Sequence, residues 1–319
     1  MEFACPEVQG GFEMGVSMKM FAFSKVSNFG DQLNHWLWPK LLPAGFFTEN
    51  DDRLFLGIGS VLYDSHPANA QKVVFGAGYA GYSALPTIDE TWKLYFVRGK
   101  NTAAALNLPE DMAIGDSGIL IRAVTLPKYE KRFRVSFMPH YESAMFGSWE
   151  KICNKLGINF IDPRWDVDMV LEHMLSSELV VSEAMHGVII ADALRVPWKA
   201  ILPHDPNHRN KWHDWASVLD LKIDFLRLGP SNALEWLMSF FWGRRRFVYA
   251  LRKRRDKFFS FGFGLPLTTA IGALKTASQA NGQLSSDTSI ERVTSRMLVE
   301  LDRLKTDFAP AAMAMSGAY

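Results

Sequence analysis

Three residues with chemistry to offer stand just after apolar runs: Arg98 after Trp92–Val97, His140 after Phe133–Met138 and Pro139, and His186 soon after Leu179–Val181. If those runs are strands of a parallel sheet, the three side chains lie at the carboxyl edge, where open α/β sheets bind their ligands. Two histidines on different strand ends can supply an acid and a base to one substrate. A guanidinium next to Gly99 suits bidentate capture of a phosphate or carboxylate, and Lys100 is a second, weaker cation. Ser182 is placed to cap a helix running from Met185 to Leu194, stopped ahead of Pro197, and that helix start adds amide donors for an anion. On position alone, His186 fits a packed helix with an incidental histidine equally well, and Arg98 fits a salt bridge between two halves of the chain.

The turn Asn28-Phe-Gly-Asp31 sits between a first strand and a first helix. Asn28 and Asp31 there can exchange hydrogen bonds with sugar hydroxyls, and they are equally ordinary turn and capping residues. Arg209 and Lys211 read as anion or acceptor contacts. They lie in a segment that also holds His204, His208 and His213 with Asp205 and Asp214, a spacing that imitates a metal cluster. Pro206 and the polar residues between argue instead for a loop, and no metal is assigned. Gly76-Ala-Gly-Tyr-Ala-Gly81 matches G-x-G-x-x-G, but Pro86 leaves little room for the helix that a dinucleotide site needs, so these glycines are read as tight backbone turns. No cofactor is expected.

The elements that must position these residues follow from the hydrophobic pattern. Apolar strands at Met18–Phe23, Arg53 onward, Lys72 onward and Trp92–Val97 alternate with glycine turns and helical stretches. The plan recurs from Phe133, which predicts an α/β fold with two Rossmann-like domains facing a cleft, GT-B-like in arrangement. The boundaries are a loose leader over 1–18, an N-terminal Rossmann-like domain over 19–128, a C-terminal one over 129–230 and a helical, basic and aromatic extension over 231–319. Composition is that of a folded protein, 48% hydrophobic and 22% charged, and a net charge of +1 gives no case for nucleic acid. Cys5 and Cys153 are too few for a disulfide framework, so a reducing compartment is expected. The start lacks a secretory pattern and no stretch is apolar enough to span a membrane, which points to the cytoplasm. Residues 236–259 combine Trp236, Phe240 and Trp242 with the basic runs Arg244–Arg246 and Arg252–Arg255. Such a segment suits contact with an anionic membrane face, and equally a solvated helix across the domains.

Ser182-Glu-Ala-Met-His-Gly187, with Ile-Ile-Ala-Asp-Ala and a Val-Pro behind it, resembles the signature of polysaccharide pyruvyl transferases, commonly Ser-x-Arg-x-His. Asn28-Phe-Gly-Asp-Gln-Leu33, Gly57-Ile-Gly-Ser60, Val97-Arg-Gly99, Gly115-Asp116 and Pro139-His140 resemble further family motifs in the same order, and the exopolysaccharide ketal-pyruvate branch is the nearest likeness. The resemblance implies a GT-B-like fold and transfer of pyruvate from phosphoenolpyruvate to two hydroxyls of one sugar, giving a cyclic ketal and phosphate. It implies a lipid-linked oligosaccharide acceptor at the inner face of the cytoplasmic membrane. His186 would be the general acid/base, His140 a second acid/base or phosphate contact, and Arg98 the chief anion clamp. The arginine position of the signature is Ala184 here, with Arg209 or Lys211 as replacement charge. The alternative for the same cleft is a GT-B glycosyltransferase using a nucleotide sugar, although no ribose-binding acid signature is evident in the second half.

Overall fold

The computed structural model describes residues 18–22, 27–49, 52–202, 208–240 and 264–308. Of the loose leader expected over 1–18, all but Met18, which is buried in the core, lies outside the described residues, as does most of the basic, aromatic stretch 236–259. The architecture is α/β, with two parallel four-stranded sheets. The first holds β1 (Lys19–Phe21), β2 (Arg53–Leu56), β3 (Gln71–Phe75) and β4 (Trp92–Phe96) in the order of the chain. The central segments Leu54-Phe-Leu and Val73-Val-Phe are almost wholly buried, as parallel strands covered on both faces require.

Helix α1 (Phe29–Leu41) packs on this sheet through Leu33, Leu37 and Trp38, with the Trp38 ring edge-on to Phe55 at 4.9 Å and to Phe75 at 5.6 Å. Asn34 inside the same helix is fully buried. Its amide donates to the Ile58 carbonyl and its oxygen accepts from the Ile58 N–H, both at 2.9 Å, so the helix grips the turn leaving β2. The expected alternation of strand and helix fails next. Residues 57–70 and 76–91 are turns and bends, because Pro67, Pro86 and repeated glycines deny them a helix.

The second sheet follows the expected plan more closely. Strands β5 (Phe133–Met138), β6 (Asn159–Phe160), β7 (Ser177–Ser182) and β8 (Trp198–Ala200) run parallel in the order β6-β5-β7-β8. Helix α2 (Lys100–Ala105) and a 3-10 segment (Ser117–Ala123) lead into this sheet, and its strands are separated by α3 (Tyr141–Phe146), α4 (Trp149–Leu156), α5 (Val167–Leu175) and α6 (Met185–Ala193). The strand order reverses between β5 and β7, whose ends pair at Met138 and Ser182. That switch point lies at the carboxyl edge, where open α/β sheets bind ligands, and His140 and His186 stand beside it.

The C-terminal region is part of both cores. After α7 (Asn210–Ala216) and α8 (Ala233–Phe240), helix α9 (Gly264–Ala277) buries Ala270, Leu274 and Ala277 with Trp149, Ile152 and Val181 of the second half. Helix α10 (Asp287–Asp307) buries Ile290, Val293, Met297, Leu301 and Leu304 in the larger core, which also contains Phe29, Val188 and Ile189. Ser286 caps α10 by accepting from the Ser289 N–H at 3.0 Å. Tyr95 on β4 donates to Asp307 at 2.5 Å. Thus α10 supplies cover that the missing crossover helices leave undone. Each of its buried aliphatic side chains contributes roughly 1.5–3 kcal/mol. No helix among the described residues is long and apolar enough to cross a membrane.

The Met297 methyl packs at Gly115, where a Cβ would lie 2.5 Å from it. Met297→Ala is therefore expected to cost about 2–5 kcal/mol in urea unfolding, the range for a large-to-small change in a closed core. A loss below about 1 kcal/mol would show that α10 is not integral to the core.

Candidate active site

The last residue of β7, Ser182, is fully buried. Its hydroxyl oxygen lies 3.0 Å from the Met138 and Ala184 carbonyl oxygens and accepts from the Ala184 N–H at 3.1 Å. Ser182 thus ties the strand-to-helix turn to the neighbouring strand. This differs from the expected role in two ways: the residue preceding α6 is Ala184, and the hydroxyl is spent on backbone where a substrate would not reach it. Gly187 completes the knot, since a Cβ there would come within 2.5 Å of the Ser182 hydroxyl. The arrangement holds the first turn of α6 in one orientation and aims His186 across to the first half of the chain.

There the imidazole meets α1 and the turn before the 3-10 segment. A Cβ on Gly30 would stand 2.0 Å from His186 Nδ1, so only glycine allows α1 to pass this close. On the other edge, His186 Nε2 faces Asp116 Oδ2 at 3.5 Å. Asp116 is fully buried, and its Oδ1 accepts from the Gly118 N–H at 3.0 Å, capping the 3-10 segment. Burial opposes the charge of this carboxylate, yet the field and contact of His186, with Arg98 and the Gly118 amide, hold its pKa below the ordinary aspartate value. Neither Nε2 nor Oδ2 has a hydrogen bond within ordinary length among the described residues. Asp116 was not assigned a role from the sequence, where Gly115-Asp116 stood only as a likeness; its pairing spans 70 positions and has no local signal.

Asp31, one residue beyond Gly30, shifts the opposite way. Burial pushes its pKa up, against the opposing pull of an Asn28 amide that donates to it at 2.9 Å and of the charges on His186 and Lys211. Tyr63 joins this group: burial and the Asp31 charge push its phenol upward. The structure thus places Asn28, Asp31, His186 and Lys211 near one another, with Asp116 and Tyr63 beside them.

Arg98 is placed differently from the expected clamp. It is fully buried, donating from Nε to Asp214 at 2.9 Å, from Nη1 to the Ser60 hydroxyl at 2.6 Å and from Nη2 to the Tyr79 carbonyl at 3.4 Å. Asp214 also accepts from the Thr102 amide and hydroxyl. The guanidinium therefore pins the end of β4 to α7, the helix that carries Lys211, because an isolated buried cation demands a partner. The glycine run beside it has the same logic. Gly76 and Gly81 take the left-handed backbone with φ of 87° and 77°, and a Cβ at Gly78 would strike the Arg98 guanidinium at 2.1 Å.

His140 lies at the end of β5, its N–H donating to Glu183 at 3.0 Å. Its ring sits 4.9 Å from that of His208 and its Nδ1 is 3.7 Å from Glu142. Arg209 immediately precedes α7, and among the described residues it makes no ion pair. His213 packs edge-on to Phe225 at 6.0 Å, away from His208 as a partner, and His204 lies outside the described residues.

The fold is α/β, and its histidine opening a helix at the carboxyl edge of a parallel sheet, with a buried carboxylate across the seam, stands where α/β proteins commonly bind their ligands. No family model matches the chain. It is similar to the Succinoglycan biosynthesis protein ExoV of Rhizobium meliloti (strain 1021), 34% identical over 315 residues that cover 89% of this chain and 98% of the relative. It is also similar to Uncharacterized protein L143 of Acanthamoeba polyphaga mimivirus, 27% identical over 228 residues, 63% of this chain and 74% of that one. The chain belongs to the polysaccharide pyruvyl transferase family, in its exopolysaccharide branch.

The upward shift of Asp31 has a thermodynamic consequence. Its folded-state pKa exceeds the unfolded value of about 3.9, so the folded state binds more protons between the two values and loses stability as pH rises through that window. Asp31→Asn is expected to be more stable than the native protein at pH 7, an advantage that disappears below about pH 4. Denaturant midpoints at both pH values measure this, and an equal or larger gain at the acid end would contradict it.

Proposed function

We propose that the protein transfers pyruvate from phosphoenolpyruvate to two hydroxyls of one sugar in an exopolysaccharide repeat unit, forming a cyclic ketal and releasing phosphate. The observation that carries this reading is His186, held at the start of α6 between Gly30 and the Asp116 carboxylate and beside Asp31, which also feels the charge of Lys211. The named relative acts in succinoglycan biosynthesis, which supports a polysaccharide acceptor.

The reaction needs a proton delivered to the donor's methylene carbon, which becomes a methyl group and leaves C2 electron-poor. One sugar hydroxyl adds to C2 and gives up its proton; phosphate departs with its bonding pair, and the second hydroxyl closes the ring as it loses a proton. His186 serves as the acid and then the base. The Asp116 carboxylate, 3.5 Å from Nε2, stabilises the ring's protonated form by its charge, leaving Nδ1, on the Gly30 and Asp31 side, to exchange protons with substrate. Asp31 and Asn28 receive the sugar hydroxyls. Lys211, with Arg209 and the α6 amides, meets the donor's anionic groups. His140 provides a second acid/base or the phosphate contact. Arg98 acts by holding Lys211's helix in place. The two parallel sheets meeting at this seam support a GT-B-like frame in which the first half is a reduced partner. A lipid-linked acceptor and membrane contact through 236–259 complete the reading.

Incubation with phosphoenolpyruvate and a lipid-linked or synthetic glycoside acceptor is expected to give acceptor-dependent phosphate release together with the mass of a pyruvyl ketal. His186→Ala should slow that release about 100- to 10,000-fold, the range for a lost acid/base. Near-normal ketal formation by the variant, or consumption of nucleotide sugars in place of phosphoenolpyruvate, would overturn the assignment.

A further inference from the structure

Of the histidines after β8, His208 is grouped by the fold with residues from much earlier in the chain. His208 meets His140 from the end of β5 and Glu142 from the first turn of α3, and one donor atom from each lies within 4.8 Å of the others. Glu142 is buried, its side chain 4% exposed, and the His140 side chain is 14% exposed. Two imidazoles and a carboxylate are the nitrogen and oxygen donors favoured by zinc and its neighbours. Bonds of about 2.0–2.1 Å in tetrahedral geometry put ligand atoms roughly 3.3 Å apart.

The surroundings match a metal site as well. The Tyr82 hydroxyl hydrogen bonds to His208 Nδ1 at 2.6 Å, which directs His208 to ligate through Nε2. A partner on the second ring nitrogen is what orients a metal-bound histidine. The His140 N–H to Glu183 bond anchors the backbone of the second ligand. Tyr82 comes from the first half and the three donors from the second, so the cluster sits where the halves meet.

We propose that His140, Glu142 and His208 bind one divalent transition-metal ion of the zinc class, with a coordination position left for water or an anionic ligand. Occupancy takes His140 out of acid/base work and leaves it the contact with phosphate. The site itself does not depend on the reaction assigned above.

Untagged full-length protein, stripped with a chelator and dialysed, tests this by titration calorimetry with Zn²⁺ and by visible absorption with Co²⁺. One equivalent should bind at micromolar or lower dissociation constant. His208→Asn and Glu142→Gln should each weaken it at least about tenfold, and Tyr82→Phe by about 10- to 100-fold, the range for an orienting partner. His213→Asn should leave it unchanged. Absence of stoichiometric binding to the native protein would overturn the proposal, as would equal binding by both ligand variants that keep the native thermal midpoint without metal.

Discussion

The structure turns on the packing of one imidazole into a seam between two parallel-sheet halves. His186 reaches across from α6, and the first half receives it with a glycine on one edge and a buried carboxylate on the other. Neither wall tolerates change in kind: a methyl group at Gly30 would occupy the ring's own space, and a neutral residue at 116 would leave a facing nitrogen without its counter-charge. Much of the remaining fold keeps these walls in place. The Ser182 hydroxyl knots the turn that launches α6, Phe29 on α1 donates its N–H to the Pro163 carbonyl at 2.7 Å, and α10 presses Met297 and Val293 onto the turn at Gly115.

The electrostatics of the seam follow from the same geometry. Asp31 and Asp116 are both withdrawn from water near one histidine, yet burial wins at Asp31 while charge pairing and a backbone donor win at Asp116. Environments that drive two carboxylates apart in this way give them different tasks. Asp116 is held toward its ionised form beside the imidazole, whereas the charge of Asp31 is opposed by its burial. The Arg98–Asp214 pair is the third buried charge system. Removing either partner would strand the other without water, which makes it a pin between β4 and α7 in addition to whatever field it casts on the crevice.

The parts of this arrangement that were legible in the sequence are those with short-range signals. Apolar runs ending in glycine gave the strands, and position after a strand picked out His140 and His186 at the switch point. The turn residues Asn28 and Asp31 carry the same short-range signal. What escaped depends on partners far along the chain. Arg98 carries the same local signal as an anion-binding arginine, and only Asp214, 116 positions later, decides its commitment. Ser182 stands where a cap would stand, but the neighbouring strand takes its hydroxyl. The spacing of the histidines near 208 imitates a metal cluster within what reads as a loop, and the partners that the fold gives His208 come from 66 and 68 positions earlier. The C-terminal helices looked like an appendage because nothing in their periodicity says that two crossover helices are missing from the first half.

The central claim is that Asp116 works through His186. A double-mutant cycle in the rate of acceptor-dependent phosphate release from phosphoenolpyruvate tests it most directly, using the native protein, Asp116→Asn, His186→Gln and the double variant. The account predicts that Asp116→Asn slows the native protein at least about tenfold and changes nothing further once His186 is glutamine. The same slowing factor in both backgrounds would contradict it, placing Asp116 outside the catalytic pair.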